Sequence, residues 1–431
     1  MLNRTEAPIR HDIQGVELIH PEKISFKNGV EVLIFQAPAQ ALVKAEFIFR
    51  NFFSEAHFSD PENSLRHTCM NQMLKEGTHS RNSAQIADEV DFYGAYLMPE
   101  YSFDHSALSL YSLNKHLHQL LPLVHDILNN SSFPQEELDT YIRNHKQTLQ
   151  ISLQKNEYLA RRSFFAQLFG GTRYGALPSE ASYDALNREE LVYLYQQQIN
   201  PANCTLILSG NITSEVLQQV RQLFENQWEA KAPVTATIDP TFAPFEASSL
   251  IEERSDSLQS AIRMGMPSIN RTHPDFPGVQ FVNTLFGGYF GSRLMRNIRE
   301  EKGYTYGIGS AFASLQHSGF FTLSTEVGVD KTQDTLQEIE KEFKILRETR
   351  APVQEIELVK QYILGSVLGS VESIFSHADK YKAVYFHDMD LSYYQYYDQV
   401  VRSMNAAEVQ RLAQQYFDYD QLFKVVVGKL S

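Results

Sequence analysis

A catalytic zinc ion needs imidazole and carboxylate groups at fixed helical spacing. Two His at i and i+4 share one helix face and grip the metal, while a Glu between them takes a proton from metal-bound water. Neither His-x-x-Glu-His nor His-Glu-x-x-His occurs anywhere in the 431 residues. His67 has no ligand at i+4 and reads as an ordinary helix histidine, with a displaced metal ligand as the alternative. His116-x-His118 with His125 places its first two rings on different helix faces, so a solvated helix is the simpler reading. Cys69 and Cys204 are the only cysteines, too few for a disulfide scaffold or a Cys-rich zinc fold. Cys69 reads as a small buried hydrophobe rather than a zinc thiolate. Gly287-Gly288-x-x-Gly291-Ser292-Arg293 invites a phosphate-loop reading, but it lacks the Gly-Lys-[Ser/Thr] ending and the following acidic residue. A glycine-rich turn against a closely packed helix fits it better. Tyr393-Tyr394-Gln-Tyr396-Tyr397 could stack bases, yet packing or an interface is the plainer use.

Composition narrows the classes. Hydrophobic residues make up 43% and charged residues 21%, the balance of an ordinary globular protein. Lys and Arg number 38 against 52 Asp and Glu, a formal charge of −14, which argues against nucleic acid as a partner. The segment Met1–Pro8 has no apolar core of a signal peptide, and no apolar run approaches the roughly 18–20 residues of a membrane span. The expectation is a cytoplasmic protein with no membrane partner.

The elements that must position any site repeat at an offset of 218 residues. Pro134-Gln-Glu-Glu137 matches Pro352-Val-Gln-Glu355, Asn187-Arg-Glu-Glu190 matches Asn405-Ala-Ala-Glu408, and Gly210 matches Gly428, each closing an apolar run. The register holds over about 75 residues. The Pro-, Ala- and Thr-rich stretch 229–248 has linker composition. The expected organisation is an N-terminal domain over 1–230, a linker over 231–248 and a C-terminal domain over 249–431. Strands are expected at Val30–Phe35, Val43–Arg50, Ser102–Tyr111, Cys204–Ser209, Ala261–Met266, Gly319–Val327 and Phe423–Gly428. Helices are expected at Ser64–Lys75, Ser83–Phe92, Leu113–Asn129, Gln135–Phe169, Pro277–Phe286, Asp330–Thr349 and Val353–Ser376. This is an α+β chain of two duplicated domains, each an antiparallel sheet with helices packed on one face. The offset sets Thr68–Gln72 opposite Phe286–Phe290.

Several segments, in order, carry a family resemblance. They are Phe26-Lys-Asn-Gly29-Val-Glu-Val-Leu-Ile34, Met73-Leu-Lys-Glu-Gly77-Thr78 with Ser83–Ala87 and Gly94-Ala95, Arg173-Tyr174-Gly175 through Asn200-Pro-Ala-Asn203 to Gly210, and Gly287–Leu294 through Arg299-Glu-Glu-Lys-Gly303-Tyr-Thr-Tyr306. Together they resemble the pitrilysin/insulinase family of zinc peptidases, in its mitochondrial-processing-peptidase-like branch, and they cover nearly the whole chain. The resemblance implies a metallopeptidase-like (LuxS/MPP-like) fold and places the family's metal helix at Thr68-Cys69-Met70-Asn71-Gln72. There Thr68 and Gln72 stand at the two His positions and Asn71 at the base position, while the distant Glu position falls at Gln147-Thr148. Neutral amides neither accept a proton from water nor bind zinc well. The chain alone is therefore expected to hold no zinc and to have no peptidase activity. An active peptidase with substitute ligands is the minority reading.

The same resemblance implies that Arg299 and Tyr306 match a pair that holds substrate backbone, with Gly303 permitting the turn between them. Without it, Arg299 would be read as a helix-end residue paired with Glu300 or Glu301, and Tyr306 as core. Two functions follow. One is the non-catalytic, substrate-holding subunit of a heterodimeric zinc metallopeptidase, with zinc in a homologous partner and peptides degraded in an enclosed chamber. The other is a non-enzymatic peptide-binding or structural protein of the same fold. A homodimer in isolation stays open under both.

Overall fold

The computed structural model describes Ile13 and residues 15–51, 63–230 and 242–430. The segment Met1–Pro8 and most of the linker read at 231–248 lie outside the described residues.

The first half runs β1 (Glu22–Ser25), β2 (Glu31–Gln36), β3 (Leu42–Arg50), α1 (Asn63–Met73), α2 (Ser83–Phe92), β4 (Tyr96–Tyr101), β5 (His105–Leu113), α3 (Leu117–Asn130), α4 (Gln135–Ser152), α5 (Asn156–Phe169), α6 (Glu180–Asp184), α7 (Arg188–Gln198), β6 (Cys204–Gly210) and α8 (Ser214–Arg221). The second runs β7 (Ser249–Glu253), β8 (Gln259–Ser268), α9 (Phe276–Asn283), π-helical turns at Thr284–Gly288 and Met295–Glu301, β9 (Ile308–Ser314), β10 (Gly319–Gly328), α10 (Thr332–Glu348), α11 (Val353–Gly369), α12 (Ile374–Tyr385), α13 (Ser392–Ser403), α14 (Ala406–Tyr416) and β11 (Phe423–Gly428).

The duplication is plain in the topology. The first sheet has the order β1-β2-β6-β3-β5-β4 and the second β7-β11-β8-β10-β9, the same order once β1 is set aside. Two of the three matches behind the 218 offset turn out to be the punctuation of helices, and the third, Gly210 with Gly428, ends the strands β6 and β11. Asn187 and Asn405 accept hydrogen bonds from the first free N–H groups of α7 and α14. Pro134 and Pro352 occupy the N-cap positions of α4 and α11. Between β8 and β9 the offset falls to 212, because the connection before α9 is shorter than the one before α1. Asn71 on α1 therefore corresponds to Asn283 on α9, which places the expected Thr68–Gln72 counterpart six residues upstream of Phe286–Phe290.

The α+β, duplicated fold expected from the sequence is found, with three differences of detail. Each sheet contains one parallel pair, β2 with β6 and β7 with β11, which the long return through the helices permits. The edge strands β4 and β9 give weak signals, since β4 contains Pro99 and β9 is rich in Gly, Ala and Ser. The single helices read over Gln135–Phe169 and Val353–Ser376 are each broken in two, at 153–155 and 370–373.

Those breaks matter, because the second member of each pair leaves its own half. On one face of the first sheet Val43, Ala45, Phe47 and Phe49 of β3 join the core formed with α1, α3, α7 and α8. Strand alternation turns Leu33, Phe35, Ile48 and Ile207 to the other face. There they pack on Ile374, Ala378 and Tyr381 of α12, a helix of the second half. Reciprocally, Ala261, Phe423, Val425 and Val427 of the second sheet are covered by Ala160, Phe164 and Leu168 of α5. Helices therefore cover both faces of each sheet, one face from within its half and the other from across the chain. The exchanged helices are equivalent in the repeat, α5 beginning at residue 156 and α12 at 374. Gly265 on β8 lacks a side chain where Phe164 lands; a Cβ there would sit 2.8 Å from the ring.

Phe164 is fully buried. Phe164→Ala should cost about 3–5 kcal/mol. Urea unfolding should show one shifted transition, seen alike by far-UV dichroism and by fluorescence of Trp228, which lies in the core of the first sheet, away from the second-sheet face that Phe164 covers. Separate transitions for the two probes would contradict the interlock.

Candidate functional site

Helix α1 lies on β4 and β5, its Leu65, Cys69, Met70 and Met73 buried in the first core. The residues expected at the metal positions are occupied with the backbone around them. Thr68 Oγ1 donates to the Ser64 carbonyl at 2.8 Å, one helical turn back. Asn71 is fully buried, and its Nδ2 donates to the carbonyls of Glu100 at 2.8 Å and Ala107 at 3.3 Å. Gln72 Nε2 donates to the Pro99 carbonyl at 3.4 Å. Asn71 and Gln72 thus stitch α1 to β4 and, through Asn71, to β5.

On α4, which touches α1, Gln147 is exposed and Thr148 Oγ1 donates to the Asn144 carbonyl at 2.9 Å. Among the described residues no hydrogen bond links Gln147 or Thr148 to the α1 trio. His67 is buried in α1, and burial pushes the Cys69 thiol up to about 12, far from the thiolate a metal requires. One acceptor, Asn71 Oδ1, is buried without a donor, and a lone amide oxygen is a feeble zinc ligand. These residues do not fit a zinc ion. Among the described residues no group of three His, Cys, Asp or Glu side chains could hold one.

The counterpart in the second half is built differently. The π-helical turn Met295–Glu301 is anchored by Asn297, whose Nδ2 donates to Glu338 at 2.9 Å and to the buried Glu342 at 2.7 Å on α10. Arg293 forms a bidentate pair with Glu355 of α11 at 2.9 and 2.7 Å. Gly303, at φ +67°, ends the turn in a conformation that suits glycine. Thr305 Oγ1 then donates to the Glu326 carbonyl at 2.7 Å and pins the chain to β10.

This framework presents Arg299 and Tyr306 outward. Tyr306 is 93% exposed, so it is not a core residue. Among the described residues Arg299 makes no ion pair with Glu300 or Glu301; its guanidinium lies 4.5 Å from the ring centre of Phe290, itself 60% exposed. No hydrogen bond or ring contact joins Arg299 to Tyr306 among the described residues. Phe290 was not singled out by residue type; its signal is an aromatic inside a glycine-rich turn.

A further polar site lies at the seam between the halves, a cleft of about 330 Å³ lined by Glu46, Asp104, His105, Lys382 and His387. Glu46, buried in the middle of β3, pairs with Lys44 at 2.9 Å and with Lys382 of α12 at 2.5 Å. Burial opposes the Lys44 charge, but Glu46 outweighs it and the Lys44 pKa is raised. Asp104 accepts from Arg173 at 2.7 Å and Tyr174 at 2.8 Å. The His105 ring lies 4.0 Å from that of Phe386, and burial drives its pKa down to about 3. The signal for this seam was present in Lys44 and Glu46, two charges inside an apolar strand.

With this geometry in hand, the chain can be set beside known proteins. Residues 185–363 match the family model described as the peptidase M16 inactive domain. The chain is 21% identical over 418 residues to the uncharacterized zinc protease YmxG of Bacillus subtilis, covering 94% of this chain and 98% of that protein. It is 23% identical to the non-peptidase homolog YmxG of Helicobacter pylori, covering 83% of each. A crystal structure of a peptidase M16 inactive domain from Pseudomonas fluorescens superposes with a TM-score of 0.85 at 22% identity, covering 95% of this chain and 98% of that one. The chain is thus a homologue of the M16 zinc peptidases, the pitrilysin/insulinase family its segments resemble, and it lacks the zinc-binding motif. No helix among its described residues is long and apolar enough to cross a membrane.

Two outcomes test this description. Asn71→Asp replaces two donated hydrogen bonds by a buried carboxylate facing carbonyls, at a cost of about 3 kcal/mol at neutral pH. The folded-state pKa of that Asp would be raised, so the variant should recover stability as pH falls toward 4, where the acid is neutral; urea midpoints at both pH values check it. His105 has the opposite linkage. Its pKa falls from 6.5 to about 3 on folding, so its contribution is complete above 6.5 and is lost as pH drops toward 3. That amounts to about 2 kcal/mol by pH 5. His105→Phe should lose correspondingly less stability between pH 7 and pH 5 than the parent chain, and equal losses would refute the assignment.

Proposed function

We propose that this chain is the non-catalytic, substrate-holding subunit of a heterodimeric zinc metallopeptidase. A homologous partner carries the His-x-x-Glu-His helix and the zinc, and the two chains enclose a chamber in which peptides are degraded. The observation that carries this reading is an asymmetry between the halves. The metal-helix position is filled by side chains turned inward to backbone carbonyls, whereas Arg299 and Tyr306 stand on a braced turn and remain available.

An arginine that makes no ion pair among the described residues offers fixed donors to a peptide carbonyl or to the oxyanion that forms from it, and the tyrosine hydroxyl adds another. Phe290 behind the guanidinium limits its orientations. This chain thus supplies binding and charge stabilisation; the proton transfers and the metal chemistry belong to the partner. Relatives named as a non-peptidase homolog and as a probable inactive metalloprotease support a role without intrinsic peptidase activity.

The test is reconstitution with a motif-bearing homologue. The mixture should cleave an unfolded peptide, each chain alone should not, and zinc should enter only with the partner. Arg299→Ala should lower kcat/KM of the mixture about a hundredfold and Tyr306→Phe about tenfold. Unchanged activity in the Arg299 variant would remove the role given to it. Peptide binding by this chain alone, with no cleavage in any mixture, would favour the non-enzymatic reading.

A further inference from the structure

Outside the features used so far lies a cavity of about 530 Å³, walled by α9, α12, α13 and the end of α11. Two cations line it: Arg271, from the β8–α9 connection, and Lys380, from α12. Arg271 donates from Nη1 to the Ala383 carbonyl at 2.8 Å, and its Nε is buried with no hydrogen-bond partner. Lys380 forms no ion pair or hydrogen bond from its ammonium among the described residues. Burial and the nearby Arg271 both lower its pKa, the mark of a cation held against solvation and like charge.

The carboxylate on the wall, Asp379, is already engaged by Lys44 at 3.5 Å and Lys382 at 3.4 Å. The remaining surface is aromatic. Arg271 lies 5.6 Å from the Tyr393 ring centre, and Lys380 lies 5.8 Å from that of Tyr394. Tyr397 is largely enclosed, and its hydroxyl has no hydrogen-bond partner among the described residues. Two cations that make no ion pair among the described residues share one concave site, against the −14 charge of the chain. Among the described residues no carboxylate pairs with either cation, and the concavity has the size of a small-molecule site.

We propose that this cavity binds a small organic anion, a phosphate or carboxylate carried on a planar apolar body. Arg271 and Lys380 take the charged head, and Tyr393, Tyr394 and Tyr397 enclose the body. Because α12 is also the helix that covers the first sheet, an occupant would brace that helix against α9 and α13. The proposal does not rest on the peptidase reading.

Calorimetric titration of the full chain at constant ionic strength tests it, with phenyl phosphate, benzoate and inorganic phosphate as probes. Phenyl phosphate or benzoate should bind saturably, one per chain, about tenfold more tightly than inorganic phosphate, and the tighter of the two identifies the head group. Lys380→Met should weaken that binding at least about tenfold. It should also raise the melting temperature of the unliganded chain, since the ammonium has no ion pair or hydrogen bond among the described residues to lose. Tyr397→Phe should weaken binding about threefold with the melting temperature unchanged. Absence of saturable binding, equal affinity in both variants, or a lower melting temperature for unliganded Lys380→Met would overturn the proposal.

Discussion

Each sheet in this protein has two apolar faces and only enough helices in its own half to cover one. That constraint organises the rest. The uncovered faces are closed by exchange, α12 lying on Leu33, Phe35 and Ile207, and α5 lying on Val425 and Val427. Charge follows the same exchange with opposite sign. The first sheet offers Glu46 to Lys382 of the visiting helix, and the second offers Arg263 to Glu157. Such pairs add register to contacts that apolar burial alone would leave free to slide.

The exchange also explains how the two halves diverged without losing the fold. At α1, the amides Asn71 and Gln72 serve as structural donors to β4 and β5. Asn283 does the same on α9, donating from Nδ2 to the Ser310 carbonyl of β9 at 3.0 Å. An inward asparagine that ties a helix to an edge strand is thus common to both halves. The outward Arg299 and Tyr306 belong to the second half alone, where the helix ends in π-helical turns and Gly303 redirects the chain.

Much of this was legible in the residues. The 218 offset was carried by residues that start helices or end strands; of these, Asn187 and Asn405 satisfy N–H groups that would otherwise be free at a helix start. Central strands such as β3 and β6 announced themselves through β-branched and aromatic runs. The helix breaks at 153–155 and 370–373 did not, because apolar spacing continues through them: α5 and α12 carry apolar faces of their own, only toward a different sheet. Edge strands were hidden by Pro99 and by the small residues of β9. At the site, the missing motif was visible in the sequence, but the inward hydrogen bonds of Asn71 and Gln72, and the stacking of Arg299 on Phe290, depend on neighbours far along the chain.

The crossed helices bear on ancestry. A solitary ancestral unit would have carried one greasy sheet face in water and one helix with nowhere to lie. It could have resolved both only by twinning with an identical copy, each lending its helix to the other. Within one polypeptide the two halves meet that need for each other, so neither could be cut away without baring the face that its helix covers on the other.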